Sequence, residues 1–354
     1  MRLLCVSVLS LAAVLSGFSQ TATNAGAGLP QDPRELFAAA APLYDFASPD
    51  LKPWHLKATY QLYDEKGKPS EQGTYEYWWA SPQVHRSNWT RPSATHSDWY
   101  TADGKHAHQE TGEHIEFFEY ELQNVLLSPL PDSSDLNPDK FRLSRETVSS
   151  GGVKLPCVMV SPLMLQSGHK QSIPPGLFPT YCFDPQSPAL RARYSFGSFS
   201  AEFSNIVNLQ NRNLACEIVI SDGNHKILSA HVDTIGLLDP ADPALTPTAD
   251  ATDSKLDKAQ QISPLVMSSM LLKQQAPVYP QDARNAHASG TVVLQAIIGT
   301  DGVVRDLRVV SAPHPSLAAS ALRAVSHWEY KPYLLDGEPL DVETTVNVIY
   351  ALGN

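Results

Sequence analysis

The sequence predicts an α+β protein in which a large, mainly antiparallel β domain with one or two helices precedes a smaller α/β unit. Apolar and polar residues alternate with period two from Trp54 onward, as expected of half-buried strands. Short turn sequences rich in Asp, Gly and Ser separate these alternating runs. Before the C-terminal quarter, two stretches, 33–41 and 113–127, have apolar residues near helical spacing. We therefore expect few helices on an extensive sheet.

Length and composition allow two folded units and argue against a nucleic-acid partner. The chain has 354 residues, 42% of them apolar, and a formal net charge of -11 with 26 Lys and Arg residues. This length exceeds one typical domain. Because nucleic-acid binding needs clustered basic residues to neutralise phosphates, we expect no such partner.

The N-terminus has the features of an export signal. A short basic start at Arg2 precedes an apolar run over 3–18, and small or polar residues follow. We predict a signal peptide over 1–19, cleaved before Gln20, and a periplasmic protein. The alternative is an inner-membrane anchor through residues 3–18, but this run is shorter than the ~20 residues that span a bilayer comfortably.

Residues 54–238 are predicted to form the β-rich domain, after an N-terminal segment over 20–53 with a short helix. In its first strand, apolar residues alternate with polar ones from Leu56 to Leu62. A second strand, 73–80, has Tyr75, Tyr77 and Trp79 on one face, where they supply apolar surface for a sheet. Hairpin turns are expected at 102–105, 149–152 and 221–224.

Cysteine usage predicts one disulfide. If Cys5 is removed with the signal peptide, Cys157, Cys182 and Cys216 remain, and one pair with one leftover thiol is the simplest arrangement. Three pairings are possible. We favour Cys157 with Cys182, because each lies in a short strand-like run beside a Pro- and Gly-containing excursion that a bridge would tether.

The C-terminal part begins after a predicted linker. Residues 239–258 are rich in Asp, Ala, Pro and Thr, which is typical of a solvated connection. Residues 259–354 then form the second unit. Its expected elements are a short helix after Pro280, a strand over 291–298, a turn over 299–302, a strand over 303–310, a helix from Pro315 with Ser316 as its cap, and a last strand over 342–350.

An ordered motif in this unit resembles the TonB C-terminal domain over residues of about 276–352. Such a multi-part motif in its expected structural context is specific. The resemblance implies a three-stranded antiparallel sheet with two helices. The motif consists of Pro277, Tyr279, Pro280, Ala283, Arg284, Gly290, Asp301, Gly302, Trp328, Tyr330 and Pro332.

The resemblance also implies a partner. Members of this family, which includes energy transducers of transport, bind the TonB box of an outer-membrane transporter by adding its extended segment to the last strand. An edge strand of this kind can also pair with a second copy of itself, giving a homodimer. The residues implied in partner binding are Val342, Glu343, Thr344, Thr345, Val346, Asn347, Val348, Ile349 and Tyr350.

The sequence departs from a TonB energy transducer in two ways. A transducer has a retained inner-membrane helix and a long Pro- and Lys-rich spacer, whereas this chain has a predicted cleavable signal and a β domain. Ala276 also stands where the family motif often has a polar side chain that contacts the partner. Force transmission from the inner membrane is therefore not implied.

The β-rich domain, most of all residues 203–232, resembles the half-barrel of LolA-like periplasmic carriers in strand number and order. This layout gives an alternative function, a carrier of lipid or apolar peptide in which the TonB-like unit serves for docking. An inner face around Tyr75, Tyr77 and Trp79 that its own side chains leave unfilled favours this alternative.

No pattern indicates an enzyme, a cofactor or a metal. The sequence lacks Gly-x-Ser-x-Gly, His-Glu-x-x-His and phosphate-loop motifs. Of five histidines close in sequence, His106 and His108 point to one side of a strand, as zinc ligands sometimes do. Without a matching acid or cysteine pattern, we expect no metal site. The other three are His85, His96 and His114.

Overall fold

The computed structural model describes residues 2–4, 29–64, 66–113, 115, 117–131, 136–163, 178–195, 199–254, 259–335 and 337–352. These residues form one 14-stranded antiparallel sheet and a separate four-stranded sheet. The large sheet carries helices α1 (Pro33–Ala40) and α2 (Phe117–Leu127). Its strands are β1 (Arg2–Leu4), β2 (Trp54–Tyr63), β3 (Pro69–Ser81), β4 (Val84–Arg91), β5 (Ala94–Tyr100), β6 (His106–Gly112), β7 (Phe141–Ser150), β8 (Val153–Pro162), β9 (Thr180–Phe183), β10 (Leu190–Ser195), β11 (Phe199–Leu209), β12 (Arg212–Asp222), β13 (His225–Leu237) and β14 (Thr252–Ser254).

The large sheet is two meanders joined at its centre. Strands β2 to β6 follow one another outward in one direction, and β13 back to β7 in the other, so that β2 and β13 pair in the middle. The predicted strands, hairpins and both helices are present, and the α+β class is confirmed. Strand β3 begins at Pro69, four residues before its predicted start, because the polar residues 69–72 also pair with β2.

We call the side of the large sheet that bears Leu56, Tyr75 and Trp89 the inner face. These three side chains are fully buried, and the rings of Tyr75 and Trp89 lie 4.2 Å apart. Helix α1 begins at an Asp32 side chain that accepts from two backbone N–H groups, a favourable cap. Both helices contribute apolar residues to the same core. The apolar core therefore lies between the inner face and the helices.

The outer face of the sheet, on the opposite side, is crossed by residues 239–254. The Arg86 guanidinium lies between the rings of Trp78 and Trp99, 4.7 and 4.6 Å from their centroids. Arg86 and Trp99 both donate hydrogen bonds to the backbone oxygen of Ala244, at 3.3 and 3.0 Å. Strand β14 then pairs with β6. This segment, whose composition predicts a solvated linker, is thus attached to the sheet, and the domain boundaries stay predictions.

The disulfide between Cys157 and Cys182 is present and joins the neighbouring strands β8 and β9. Cys216 is also disulfide-bonded. The expected leftover thiol is therefore wrong, since no cysteine within the described residues is free. The predicted signal peptide, apart from residues 2–4, lies outside the described residues.

The C-terminal unit has the four-stranded sheet in the order β15-β22-β17-β18. Its three antiparallel strands are as predicted, and the two-residue β15 adds a fourth in parallel. Even-numbered residues of β17 and β22 pack against α5. The elements are β15 (Gln260–Gln261), α3 (Pro264–Ser269), β16 (Leu271–Lys273), α4 (Gln281–Asn285), β17 (Gly290–Ile298), β18 (Val304–Ser311), α5 (Pro315–Val325), β19 (Glu329–Tyr330), β20 (Leu334–Leu335), β21 (Glu338–Pro339) and β22 (Val342–Tyr350).

The cap of α5 differs from the expected one. His314 occupies the cap position, and its ring nitrogen accepts from the backbone N–H of Ser316 at 3.3 Å. The Ser316 hydroxyl instead donates to the Asp282 carboxylate on α4. The prediction of Ser316 as the cap is wrong because this tertiary contact uses its side chain.

Candidate functional site

The last strand, β22, has two different sides. Along one side it pairs with β17 over its full length, from Val342 opposite Ile298 to Tyr350 opposite Gly290. On the other side, the backbone oxygens of Asp341 and Glu343 accept from Gln260 and Ile262, at 2.8 and 3.0 Å. Backbone groups alternate in direction along a strand. The odd-numbered residues of β22 therefore direct their N–H and C=O groups away from β17.

The outward side of β22 is free in its second half. Strand β15 pairs with Val342 and Glu343, and the Thr344 hydroxyl donates to the backbone oxygen of Ile262 at 2.8 Å. The partner-binding residues predicted from the sequence begin at Val342, and two of them, Val342 and Glu343, already pair with β15. Beyond Thr344 in the described chain, no backbone hydrogen bond reaches the outward groups of Thr345, Asn347 or Ile349.

The side chains along this free half alternate in burial. Val346, Val348 and Tyr350 point into the core of the unit, and Ile349 is 74% exposed. Asn347 is also exposed. The free half, 345–350, is about 20 Å long at ~3.3 Å per residue. A segment of five or six residues can pair along it.

Three residues of the sequence motif, Tyr279, Arg284 and Trp328, make side-chain contacts within the small unit. The Tyr279 hydroxyl donates to the Ala288 backbone oxygen, and the Tyr279 ring packs edge-on against Tyr350 at 5.4 Å. The Arg284 guanidinium lies 5.4 Å from the Tyr279 ring. The Trp328 indole donates to the Gln275 backbone oxygen at 2.9 Å. Tyr279 and Arg284 thus have structural roles at the end of β22, and Trp328 holds the segment just before Pro277.

The other motif residues shape turns and helix starts. The Asp301 carboxylate accepts from the Val303 backbone N–H at 3.0 Å, and Gly302 has φ +85°, which favours glycine. The Gly302 oxygen accepts from the Tyr330 N–H at 2.8 Å. Gly290, with φ +135°, opens β17. Pro280 caps α4, Ala283 is buried on it, and Pro277 and Pro332 lie in the segments before α4 and after β19.

The opposite edge of the small sheet, β18, faces the large unit. The Arg305 guanidinium on β18 lies 4.9 Å from the ring of Tyr120 on α2. On α5, Arg323 forms an ion pair with Asp222 at the end of β12, with a 2.8 Å hydrogen bond. Docking through β18 thus leaves the β22 edge on the far side of the small sheet.

The histidines singled out in the sequence meet on the inner face around Asp98, whose role the sequence did not indicate. The Nε2 atoms of His96 and His106 lie 2.7 and 2.9 Å from the two Asp98 carboxylate oxygens. The rings of His85 and His106 stack on the two sides of Tyr100. The His106 and His108 rings lie 6.3 Å apart, and His114 lies outside the described residues.

Electrostatics around Asp98 are strongly coupled. Burial alone opposes ionisation, but His96, His106 and Arg305 hold the pKa of Asp98 well below its usual range. Burial opposes the charging of His96, yet the Asp98 carboxylate outweighs it and raises the pKa of His96. Burial lowers the pKa of His85 to about 4. Among the described residues, no group of three His, Cys, Asp or Glu side chains is arranged to hold a metal ion.

A carrier function was expected to need an unfilled inner face around Tyr75, Tyr77 and Trp79, but the protein's own side chains fill this region. Tyr75 and Trp79 are buried, Tyr77 is largely buried, and the Trp54 ring stacks on Trp79 and packs at a tilt against Tyr77. A separate cleft beside α2 is lined by Tyr120, Phe141, Val160, Tyr181 and Ile297, among others. This cleft lies between the two units, at a different place from the expected one, and its wall also carries charged residues such as Arg193 and Asp306.

Comparison with known proteins identifies the C-terminal unit. Residues 275–352 match the family model of the Gram-negative bacterial TonB protein C-terminal, which confirms the recognition made from the motif. The C-terminal domain of Pseudomonas aeruginosa TonB is 23% identical, with 24% of this chain and 86% of that chain covered and a TM-score of 0.21.

Two further solved structures resemble the chain more broadly. A LolA superfamily protein from Nitrosomonas europaea is 8% identical, with 61% of this chain and 97% of that chain covered and a TM-score of 0.34. A DUF1329 family protein from Desulfovibrio piger is 9% identical, with 61% and 100% covered and a TM-score of 0.36. No curated protein matches the chain significantly. None of the helices in the described part of the chain is long and apolar enough to span a bilayer.

Proposed function

We propose that this is a periplasmic binding protein of the TonB family, whose C-terminal unit binds an extended, TonB-box-like segment of an outer-membrane transporter by strand addition. The proposal rests on one observation, the outward backbone groups of Thr345, Asn347 and Ile349, which have no backbone partner in the described chain. An added strand satisfies such groups. The binding residues thus narrow to the second half of β22.

Backbone pairing supplies affinity, and neighbouring side chains supply selectivity. On the exposed face of the sheet, Thr345, Asn347 and Ile349 flank an added strand, and the apolar Ile349 side chain favours an apolar residue beside it. This function needs neither a cofactor nor catalysis. We therefore propose a binding protein and not an enzyme.

The test is capture of transporters from outer-membrane extract by the full-length mature chain. Asn347→Pro removes an outward N–H, while the even-numbered residues that pair with β17 are unchanged; proline is tolerated at such edge positions. We expect this variant to lose most of the capture. Asn347→Ala, which keeps the N–H, is the matched control and should capture like the unmodified chain.

Equal capture by the proline and alanine variants contradicts strand addition at this edge. If no transporter is captured and the chain sediments as a dimer that Asn347→Pro dissociates, the edge pairs with a second copy of the chain. That result would contradict transporter binding and support homodimer formation through β22. The mass of the mature N-terminus tests export separately, since cleavage before Gln20 and a retained segment over 3–18 differ by about 2 kDa at ~110 Da per residue.

A second candidate function is a carrier of lipid or apolar peptide, with the TonB-like unit as its docking module. The cleft beside α2, with Phe141, Val160 and Tyr181 on its wall, favours this candidate. A fluorescent fatty acid or apolar peptide titrated into the mature chain tests it. Binding that Val160→Asp abolishes supports a carrier, and the absence of saturable binding contradicts it.

A further inference from the structure

Helix α2 carries one buried carboxylate that binds the inner face of the large sheet, beside the apolar residues that pack there. Glu119 is completely buried, and its carboxylate accepts a 2.5 Å hydrogen bond from the hydroxyl of Tyr60 on β2. The Nε atom of Arg91 on β4 lies 3.4 Å from the same carboxylate oxygen. A buried carboxylate is stable only with such partners. The underside of α2 is therefore fixed to β2 and β4.

The next residue of the same helix faces the C-terminal unit. Tyr120 is buried and its ring lies under the Arg305 guanidinium of β18. Arg305 is itself held by Asp301 and Asp341, at 3.6 and 3.8 Å. Glu121 forms a 3.2 Å ion pair with Arg193 on β10. Three consecutive residues of α2 thus contact the inner face, the small sheet and the neighbouring wall of the large sheet.

A second contact between the units lies at the start of α2. Phe118 packs against Phe199 on β11 and against His327 after α5, with ring centroids 5.4 and 6.4 Å apart. Asp222 is the ladder partner of Phe199 and binds Arg323, which is one helical turn before His327. The Arg323 to Asp222 ion pair therefore holds α5 against the place where Phe118 packs.

We infer that α2 is a clamp whose closure depends on docking of the C-terminal unit. Arg305 and His327 contact one side of the helix, through Tyr120 and Phe118, while Tyr60 and Arg91 bind Glu119 on the other. When the C-terminal unit moves away, α2 loses the contact of Phe118 with His327 and that of Tyr120 with Arg305, and it opens more often. Opening exposes the inner face around Tyr60, so movement of the small sheet is transmitted to the interior of the large one.

The test is hydrogen exchange of the full-length chain, read at the α2 amides. Asp222→Asn and Arg323→Ala each remove the ion pair without changing α2. Because a partly exposed ion pair contributes up to about 1 kcal/mol, we expect exchange over 117–127 to become about three- to fivefold faster in either single variant. The double variant should exchange as fast as the single variants and no faster, because both changes remove the same ion pair. Lys273→Ala is the matched control, because it breaks a similar ion pair, with Glu329, inside the C-terminal unit.

The expected pattern is faster exchange in α2 with unchanged exchange in β2 and β22. Unchanged α2 exchange in the double variant overturns the inference, and so does an equal rise throughout β2, which indicates general destabilisation. Tyr120→Leu, which removes the ring beneath Arg305 but keeps an apolar side chain, should give the same local increase. The inference does not depend on peptide binding, because transporter capture is measured separately through Asn347.

Discussion

The two sheets of this protein differ in how their edges are finished. In the large sheet, β14 pairs with the β6 edge, and beside the β7 edge the Arg145 side chain binds the segment before α1, with a 2.6 Å hydrogen bond to the Pro30 backbone oxygen. In the small sheet, β18 faces α2, whereas β22 is open from Thr345 onward. Exposed strand edges invite pairing and are usually covered. This difference between the paired β6 edge and the second half of β22 is the reason we propose that a partner pairs with β22.

The largest effect should come from a change that disrupts the small sheet alone. Gly302 has φ +85°, and a Cβ there would lie 1.9 Å from the Tyr330 backbone oxygen. We expect Gly302→Ala to destabilise the C-terminal unit by about 3 kcal/mol or more. Exchange should accelerate over β17 and β22 and not over β3. Gly337→Ala, at φ +89° with open space around it, is the control and should cost about 1 kcal/mol.

A middle-sized effect concerns the attachment of α2 to the large sheet. Tyr60→Phe removes the hydroxyl that donates to Glu119 and leaves the buried carboxylate with one partner fewer, which should cost about 1–3 kcal/mol in urea unfolding. Tyr63→Phe on the same strand removes a more exposed bond to Ser229 and should cost less than about 1 kcal/mol. Equal costs would contradict a special role for the Glu119 attachment.

The smallest effect concerns the histidines of the inner face. Burial lowers the pKa of His85 to about 4, so between about pH 6.5 and 4 the unfolded chain binds a proton that the folded chain does not. The free energy of unfolding therefore decreases, through His85, as the pH falls through this window. We expect His85→Phe to make the decrease in the free energy of unfolding between pH 7 and 4.5 smaller by roughly 1–2 kcal/mol, as measured by urea unfolding. His225→Phe, at an exposed position of β13, is measured alongside as the control for introducing a phenylalanine.

His96 provides a check of opposite sign. Its pKa is raised by the Asp98 carboxylate despite burial, so its contribution to stability is complete below pH 6.5 and is lost as the pH rises through the folded pKa. A variant at His96 should therefore lose more stability at acid pH than at pH 8. The reverse order would show that the Asp98 network does not hold a charged His96.

Sequence patterns predicted the features that local chemistry determines. The alternation of apolar and polar residues from Trp54 to Tyr63 correctly predicted β2, because the residue types themselves indicate which side chains of a strand are buried. The Asp301 and Gly302 turn and the last strand, β22, were found in the same way. The motif around Tyr279 and Trp328 identified the unit because these residues make contacts inside it, Tyr279 with Tyr350 and Trp328 with the Gln275 backbone oxygen.

The features that the sequence could not reveal depend on distant partners. Strand β15 has two residues and no pattern, so the cover over Val342 and Glu343 was unforeseeable. The segment 239–254 is held through the backbone oxygen of Ala244, which composition does not show. Glu119 and Asp98 look like ordinary polar positions, and their partners Tyr60 and His106 become visible only once the strands are in register.

The most direct test of the account is the exchange of individual β22 amides, measured by NMR with and without a TonB-box peptide. In the free chain, the amides of Thr345, Asn347 and Ile349 should exchange fast, and those of Val346 and Val348 slowly, because only the latter bond to β17. Added peptide should slow the three odd-numbered amides by at least about tenfold, since each gains a strand hydrogen bond. Odd-numbered amides that are already protected in the free chain, or that stay fast with saturating peptide, would contradict the account.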